Sequence, residues 1–176
     1  MAALWGRYQL LLKTFPLATM SGTTCIIMSA GDCVSQLAIE RKTRRQYDFV
    51  RTGRFAVAGL FVFGPVMRGW YLTLDKLYNG TRLAAIKMMA TDQLIMAPTF
   101  VGLFISLMAV MRQESLDSIK GKLKRDYSVV LLNNYKIWPM AQLINFYFLP
   151  LQHRVLFVNF IALGWNTYLA WATEKN

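Results

Sequence analysis

Four stretches of this chain carry no Asp, Glu, Lys or Arg: Thr14 to Gly31, Gln93 to Met111, Ile137 to His153 and Val155 to Thr173. Each approaches the roughly 20 residues that a helix rising about 1.5 Å per residue needs to cross about 30 Å of hydrocarbon. A fifth stretch, Phe55 to Leu74, is broken only by Arg68. Inside a bilayer each backbone N–H and C=O must be bonded within its own segment or to a neighbour. Runs of this kind therefore specify an all-α fold, a polytopic membrane helix bundle. Composition agrees: 55% of the residues are apolar and 16% charged, against about 25% charged in an ordinary soluble domain. The expected organisation is one integral membrane domain over 1–176, with an interfacial amphipathic helix at 1–16 and spans near 17–37, 55–74, 93–111, 137–150 and 155–173. The last two are separated only by Arg154 and contain Pro139 and Pro150. The 137–150 segment is read as a partial or full crossing, giving about four transmembrane helices, or five.

Charge is concentrated between these segments. Twenty Lys and Arg against nine Asp and Glu leave +11. Residues 38 to 54 hold six basic residues and 112 to 136 six more. Positive loops favour the untranslocated side of a membrane, which puts these two on one face and the amino terminus on the other. Anionic head groups are the expected partner of such loops. Nucleic acid fits less well, because the loops lack the interleaved aromatic platform of single-strand binders. Asn79-Gly80 reads as a helix stop with glycine in the left-handed conformation. At the amino end Leu4, Tyr8, Leu11, Leu12 and Phe15 recur at helical spacing, and the first acidic residue is Asp32. That pattern suits an uncleaved helix lying in the interface better than a cleavable import signal.

Ser21, Cys25, Ser29 and Cys33 recur every four residues beside Ala18, Gly22 and Ala30. Small side chains on one helix face let membrane helices approach closely. Gly22, Cys25, Ser29, Gly64 and Pro65 are the expected packing residues. Cys25 and Cys33, eight apart on one helix, sit about 12 Å apart, too far for a disulfide.

A charge or amide in hydrocarbon costs several kcal/mol unless paired or wetted, so polar residues within the spans are informative. Asp32, Gln36 and Glu40 recur at steps of four; Asp92 and Gln93 open the third segment; Arg54 and Arg68 bracket the second. Arg154 opens the last, its face continued by Val158, Ala162 and Asn166, and Asn134, Trp138, Gln142 and Asn145 share one face of the fourth. Such stripes should meet inside the bundle. They would form either a dry network, with ion pairs between Asp32 or Asp92 and Arg54 or Arg154, or a water-filled path with cationic mouths. The candidate site is thus Asp32, Gln36, Arg54, Arg68, Asp92, Gln93, Trp138, Gln142, Asn145, Arg154 and Asn166. The single histidine, His153, has no metal-ligand spacing around it, and no P-loop, nucleophile elbow or dinucleotide fingerprint occurs. No cofactor, metal or catalytic residue is expected.

The residues also resemble a known family. Gly31-Asp32 with Ser35-Gln36, Gly64-Pro65 with Gly69-Trp70-Tyr71, Asp92-Gln93 with Pro98, then Trp138-Pro139, Gln142, Asn145-Phe146, Pro150, Arg154, Trp165-Asn166 and Tyr168 look like the 22-kilodalton peroxisomal membrane protein family, nearly end to end. The opening A-L-W-x-x-Y, the stretch ending at Glu40 and Lys124-Arg125-Asp126-Tyr127 are most similar to its Mpv-seventeen branch. That resemblance implies a mitochondrial inner-membrane protein with about four spans and weakly selective channel behaviour. It also implies a part in maintaining mitochondrial DNA, through nucleotide or metabolite supply, and in limiting reactive oxygen species. Arg68 departs from the branch, which has a smaller residue there, and this puts any charge selectivity inferred from relatives in doubt. The expectations are a pore for small solutes or metabolites, formed by one bundle or a homo-oligomer; a non-conducting scaffold; and, less favoured, a tethered nucleic-acid binder. A peroxisomal membrane address is the alternative location.

Overall fold

The computed structural model describes the backbone of residues 2–174 and the side chains of residues 5–173. Six helices follow one another: α1 (Ala2–Thr14), α2 (Pro16–Val34, continued by a wider turn at Ser35–Ile39), α3 (Phe49–Tyr78), α4 (Ala84–Met111), α5 (Leu116–Phe148) and α6 (Leu151–Glu174). No strand occurs among the described residues.

Local chemistry sets the boundaries. Pro16 occupies the first turn of α2, where its missing N–H costs nothing. The Asp48 carboxylate accepts from Arg51 N–H to start α3, and the Ser115 hydroxyl accepts from Ser118 N–H to start α5. Helix α3 ends before Asn79, and Gly80 adopts φ +78°, the expected glycine stop. The basic stretch expected as a loop at 112 to 136 is largely helical, and the one at 38 to 54 is helical at both ends. Only residues 40–48 and 112–115 connect helices there, because the two caps begin α3 and α5 within the charged segments.

Helices α3 and α4 each contain one π-helical turn, Gly59–Phe63 and Asp92–Met96, just ahead of Pro65 and Pro98. A proline ring presses on the carbonyl four residues back. The wider turns, closed by Gly64 N–H to Gly59 O and Ala97 N–H to Asp92 O, relieve that contact without breaking the helix. In α4 the widening also turns the adjacent Asp92 and Gln93 inward together, and both are buried.

Contacts between named residues give the topology. Gly64 lies against Ser21 and Gly59 against Cys25, so α2 and α3 run antiparallel. Phe63 meets Phe100 and Phe55 meets Phe104, Asn134 meets Gln93, and Trp138 meets Trp165, so α3/α4, α4/α5 and α5/α6 are antiparallel too. Thr24 pairs with Asn159 and Gly31 with Asn166, which makes α6 parallel to α2 and closes the ring of five helices. Connections 40–48 and 112–115 therefore share one end of the bundle, and the start of α2 lies at the other.

The outside of this ring is apolar: Ile26, Phe61, Leu94 and Phe160 are 68%, 69%, 74% and 75% exposed. Asp32, Gln36, Gln142 and Asn145 are buried. Polar inside and apolar outside is the arrangement a bilayer demands. Helices α3, α4 and α6 are each long and apolar enough to cross a membrane by length and composition. Five Ser and Thr residues dilute α2, and α5 carries both the basic stretch and the amides.

Helix α1 lies over one end of the bundle, with Tyr8 Oη 3.2 Å from Thr23 Oγ1, Leu12 buried and Trp5 packed 5.9 Å from the His153 ring. Leu11 and Phe15, expected on the same apolar face as Tyr8 and Leu12, are exposed; the Leu4 side chain lies outside the described residues.

Candidate functional site

All five bundle helices contribute to a cavity on the bundle axis. It offers about 70 Å³ to the centres of water-sized molecules, room for a few waters. Thr24 and Met28 face it from α2, Phe63 and Met67 from α3, Asp92 and Gln93 from α4, Trp138 and Gln142 from α5, and Asn159 and Asn166 from α6.

A hydrogen-bonded chain runs along its wall. Asp92 accepts from Trp70 Nε1 at 2.8 Å, from Gln93 Nε2 at 2.8 Å and from Gln142 Nε2 at 2.9 Å. Gln142 Nε2 also lies 3.1 Å from Tyr71 Oη, and Gln142 Oε1 accepts from Asn145 Nδ2 at 2.9 Å. Asn134 Nδ2 donates to Gln93 Oε1 at 3.1 Å. Asp92 thus takes its donors from amides and an indole, with no cation among its described partners. Trp138 Nε1 and Asn145 Oδ1 are buried without a hydrogen-bond partner among the described residues, and Trp138 lines the cavity itself.

A second polar cluster ties the end of α2 to the start of α3. Arg51 Nε lies 2.6 Å from Asp32 Oδ1, with the side chains 3% and 0% exposed. Arg51 Nη2 reaches Glu40 Oε1 at 2.8 Å and Ser35 Oγ at 3.2 Å. Asp32 Oδ2 accepts from Gln36 Nε2 at 2.9 Å and from Thr52 Oγ1 at 2.6 Å. Gln36 also exchanges hydrogen bonds with the backbone N–H and C=O of Asp48. Burial alone would raise the Glu40 carboxyl; hydrogen bonds from Arg51, Lys42 and Ser35 outweigh it and hold the group at about 2. At the same end of the bundle burial likewise opposes ionisation of Glu114, and Lys122, Arg112 and Ser118 bring it to about 2.

The expected site residues therefore divide. Asp92, Gln93, Trp138, Gln142 and Asn166 meet at the cavity, with Asn145 bonded behind Gln142. Asp32 and Gln36 belong to the second cluster. Arg154 stands at the opposite end, 3.1 Å from Asp75 Oδ1 and 5.4 Å from the centre of the Phe146 ring. Arg68 lies away from the axis near Met20, and Arg54 makes no ion pair among the described residues. The ion pairs expected of Asp32 or Asp92 with Arg54 or Arg154 are corrected accordingly. Asp32 pairs with Arg51, which the antiparallel register of α2 and α3 brings opposite it, and Arg154 pairs with Asp75.

The packing strip is equally specific. A Cβ on Gly64 would lie 2.5 Å from Ser21 Cα, one on Gly59 2.9 Å from Cys25 Cα, and one on Gly31 2.7 Å from Asn166 Cβ. Gly22 faces open space, and Ser29 Oγ bonds back to Cys25 O. Pro65 follows the wide turn in α3. Sequence reading missed Arg51, Asn159 and the close contacts at Gly31 and Gly59. Asn159 was findable, because it lies seven residues before Asn166 and therefore on the same helical face.

Comparison with known proteins places the chain among relatives. Residues 109–170 match the profile of the Mpv17 / PMP22 family. The chain is 41% identical over 177 residues to the mitochondrial inner membrane protein Mpv17 of Xenopus laevis, covering all of both chains. It is 40% identical over 176 residues to the protein of the same name in Danio rerio, covering 99% of each. Protein sym-1 of Neurospora crassa is 40% identical over 170 residues, covering 95% of this chain and 96% of its own. No solved structure matches.

Proposed function

From the premise that the chain belongs to the Mpv17 / PMP22 family, we propose that it is a multi-pass, channel-like protein of the mitochondrial inner membrane. All five bundle helices cross the bilayer, and small solutes pass along the axis. The observation that carries this reading is the cavity walled by Asp92, Gln93, Trp138, Gln142 and Asn166 inside a bundle whose outer surface is apolar. Amides and one carboxylate replace part of a solute's hydration without fixing it tightly, which suits weak selectivity. The Trp138 N–H, without a described protein partner, is available to whatever occupies the cavity. At about 70 Å³ the cavity describes a closed state; conduction requires the helices to part, or several copies to assemble. The basic connection at 40–48 and the basic first turns of α5, with Lys120, Lys124 and Arg125, rest on anionic head groups. Upkeep of mitochondrial DNA through nucleotide or metabolite supply, and limitation of reactive oxygen species, are the wider role; that part rests on the family resemblance.

One observation favours a second reading, a non-conducting scaffold: Asp92, Gln142, Gln93 and Asn134 already satisfy one another. Liposome flux of labelled nucleotides and small anions separates the two. For a channel, purified protein conducts, and Gln142→Leu or Asn145→Leu alters the flux. Silent liposomes holding verifiably folded protein, with both substitutions lowering only the melting temperature, favour the scaffold. Fluorescent tagging tests the mitochondrial address against a peroxisomal one.

A further inference from the structure

Away from the axis, a groove of about 500 Å³ opens where α2 and α6 begin. Its walls are mostly apolar, with Leu12, Pro16, Leu72, Pro150 and Val155 among them, and Arg68 is the single charged side chain lining it. Arg68 is half-buried on a membrane-capable helix, makes no ion pair among the described residues, and brings Nη1 to 3.5 Å from Met20 Sδ. The two fully buried arginines each have a carboxylate: Arg51 has Asp32 and Arg154 has Asp75. A half-buried guanidinium among apolar side chains is stabilised by a counter-ion, and the surrounding surface fits a hydrocarbon chain.

Its height in the bundle identifies the ligand. Arg68 lies ten residues before the end of α3, about 15 Å along the helix, and shares the groove with Pro16 and Leu151, the first residues of α2 and α6. With α2 and α6 crossing the bilayer as proposed above, a groove at their first residues opens toward the head groups of one leaflet. We propose that the groove binds one anionic phospholipid, its phosphate seated on Arg68 and one acyl chain lying along Leu72 and Val155. A planar guanidinium donates to two phosphate oxygens at once, while the apolar walls exclude water from the chain. The site is separate from the axial cavity and does not depend on the chain being a channel.

The test is lipid retention by the full-length protein in detergent, followed by native mass spectrometry and titration. Phosphatidylglycerol should bind at least tenfold more tightly than phosphatidylcholine with identical acyl chains. Arg68→Met should remove that preference, and Arg68→Lys, which keeps the charge and loses the planar fork, should keep only part of it. Leu72→Trp, at a position exposed enough to be tolerated, fills the groove and should weaken phosphatidylglycerol binding with Arg68 intact. Equal retention of both lipids by the unaltered protein, or full phosphatidylglycerol binding by Arg68→Met, overturns the proposal. Inorganic phosphate or palmitate binding as tightly as phosphatidylglycerol would also overturn it, because then the complete phospholipid is not what the groove recognises.

Discussion

The Arg51 guanidinium meets the Asp32 carboxylate at 2.6 Å, with neither side chain appreciably exposed to solvent. Attraction across such a pair roughly offsets the cost of desolvating both partners, so its presence says little about net stability. Removing one partner is different, because the other is left charged and buried. Arg51→Met should lower stability by about 3–5 kcal/mol, read as a drop in melting temperature in detergent. Gln36 and Thr52 would still donate to Asp32 but cannot neutralise it. Arg51→Met combined with Asp32→Leu should cost less than Arg51→Met alone; a larger loss in the double variant contradicts this account.

Helix α2 approaches α3 through glycine. A Cβ at Gly64 would stand 2.5 Å from the Ser21 backbone and one at Gly59 2.9 Å from that of Cys25, and backbone cannot swing aside as a side-chain tip can. Gly64→Ala and Gly59→Ala should each destabilise by about 1–3 kcal/mol through overpacking. Gly22→Ala, in open space on α2, should be neutral or stabilising by up to about 1 kcal/mol. Equal effects at Gly22 and Gly64 in thermal melts would show that contact distance is not what matters.

These relationships mark where sequence reading reached its limit. Charge-free runs identify the helices because hydrocarbon leaves the backbone no other way to bond. The amide stripe on α5 is visible because period 3.6 puts Asn134, Trp138, Gln142 and Asn145 on one face. The partner of Asp32 is not legible, since six basic residues crowd 38 to 54 and only the register of α2 against α3 selects Arg51. Glycine at 59 and 64 signals close approach, but not to which helix. The wide turn that brings Asp92 and Gln93 inward together breaks the 3.6 period, so no periodicity argument predicts that both are buried.

Acid should weaken one end of the bundle first. Glu40 and Glu114 are held at about 2 by their cationic partners, against an ordinary value of 4.5. For a carboxylate with a depressed folded value, the stabilisation is complete above the unfolded value and is lost as pH falls toward the folded one. The loss therefore falls between about pH 4.5 and pH 2. Melting temperatures of the parent and of a Glu40→Gln, Glu114→Gln variant should differ most at pH 6, draw together below pH 4.5 and converge only near pH 2. A gap that stays constant over that range would mean that these carboxylates carry no pH-linked stability.

At the other end, Arg154 fastens the start of α6 to the end of α3 through several contacts of different kinds. Nη1 reaches Asp75 Oδ1 at 3.1 Å and Met88 Sδ at 3.7 Å, Nε faces Leu149 O at 3.3 Å, and the guanidinium lies over the Phe146 ring. A lysine keeps the charge but cannot present a planar fork to Asp75 and Leu149 while covering the ring. Arg154→Lys should therefore cost about 1.5–3 kcal/mol, the range of a lost charge-assisted hydrogen bond. Asp75→Asn should cost less, because Asp75 is partly exposed and screened. In a double-mutant cycle of Arg154→Met with Asp75→Asn, contact predicts coupling of at least about 0.5 kcal/mol. Strict additivity would place the stabilisation in the Phe146 and Leu149 contacts instead of the ion pair.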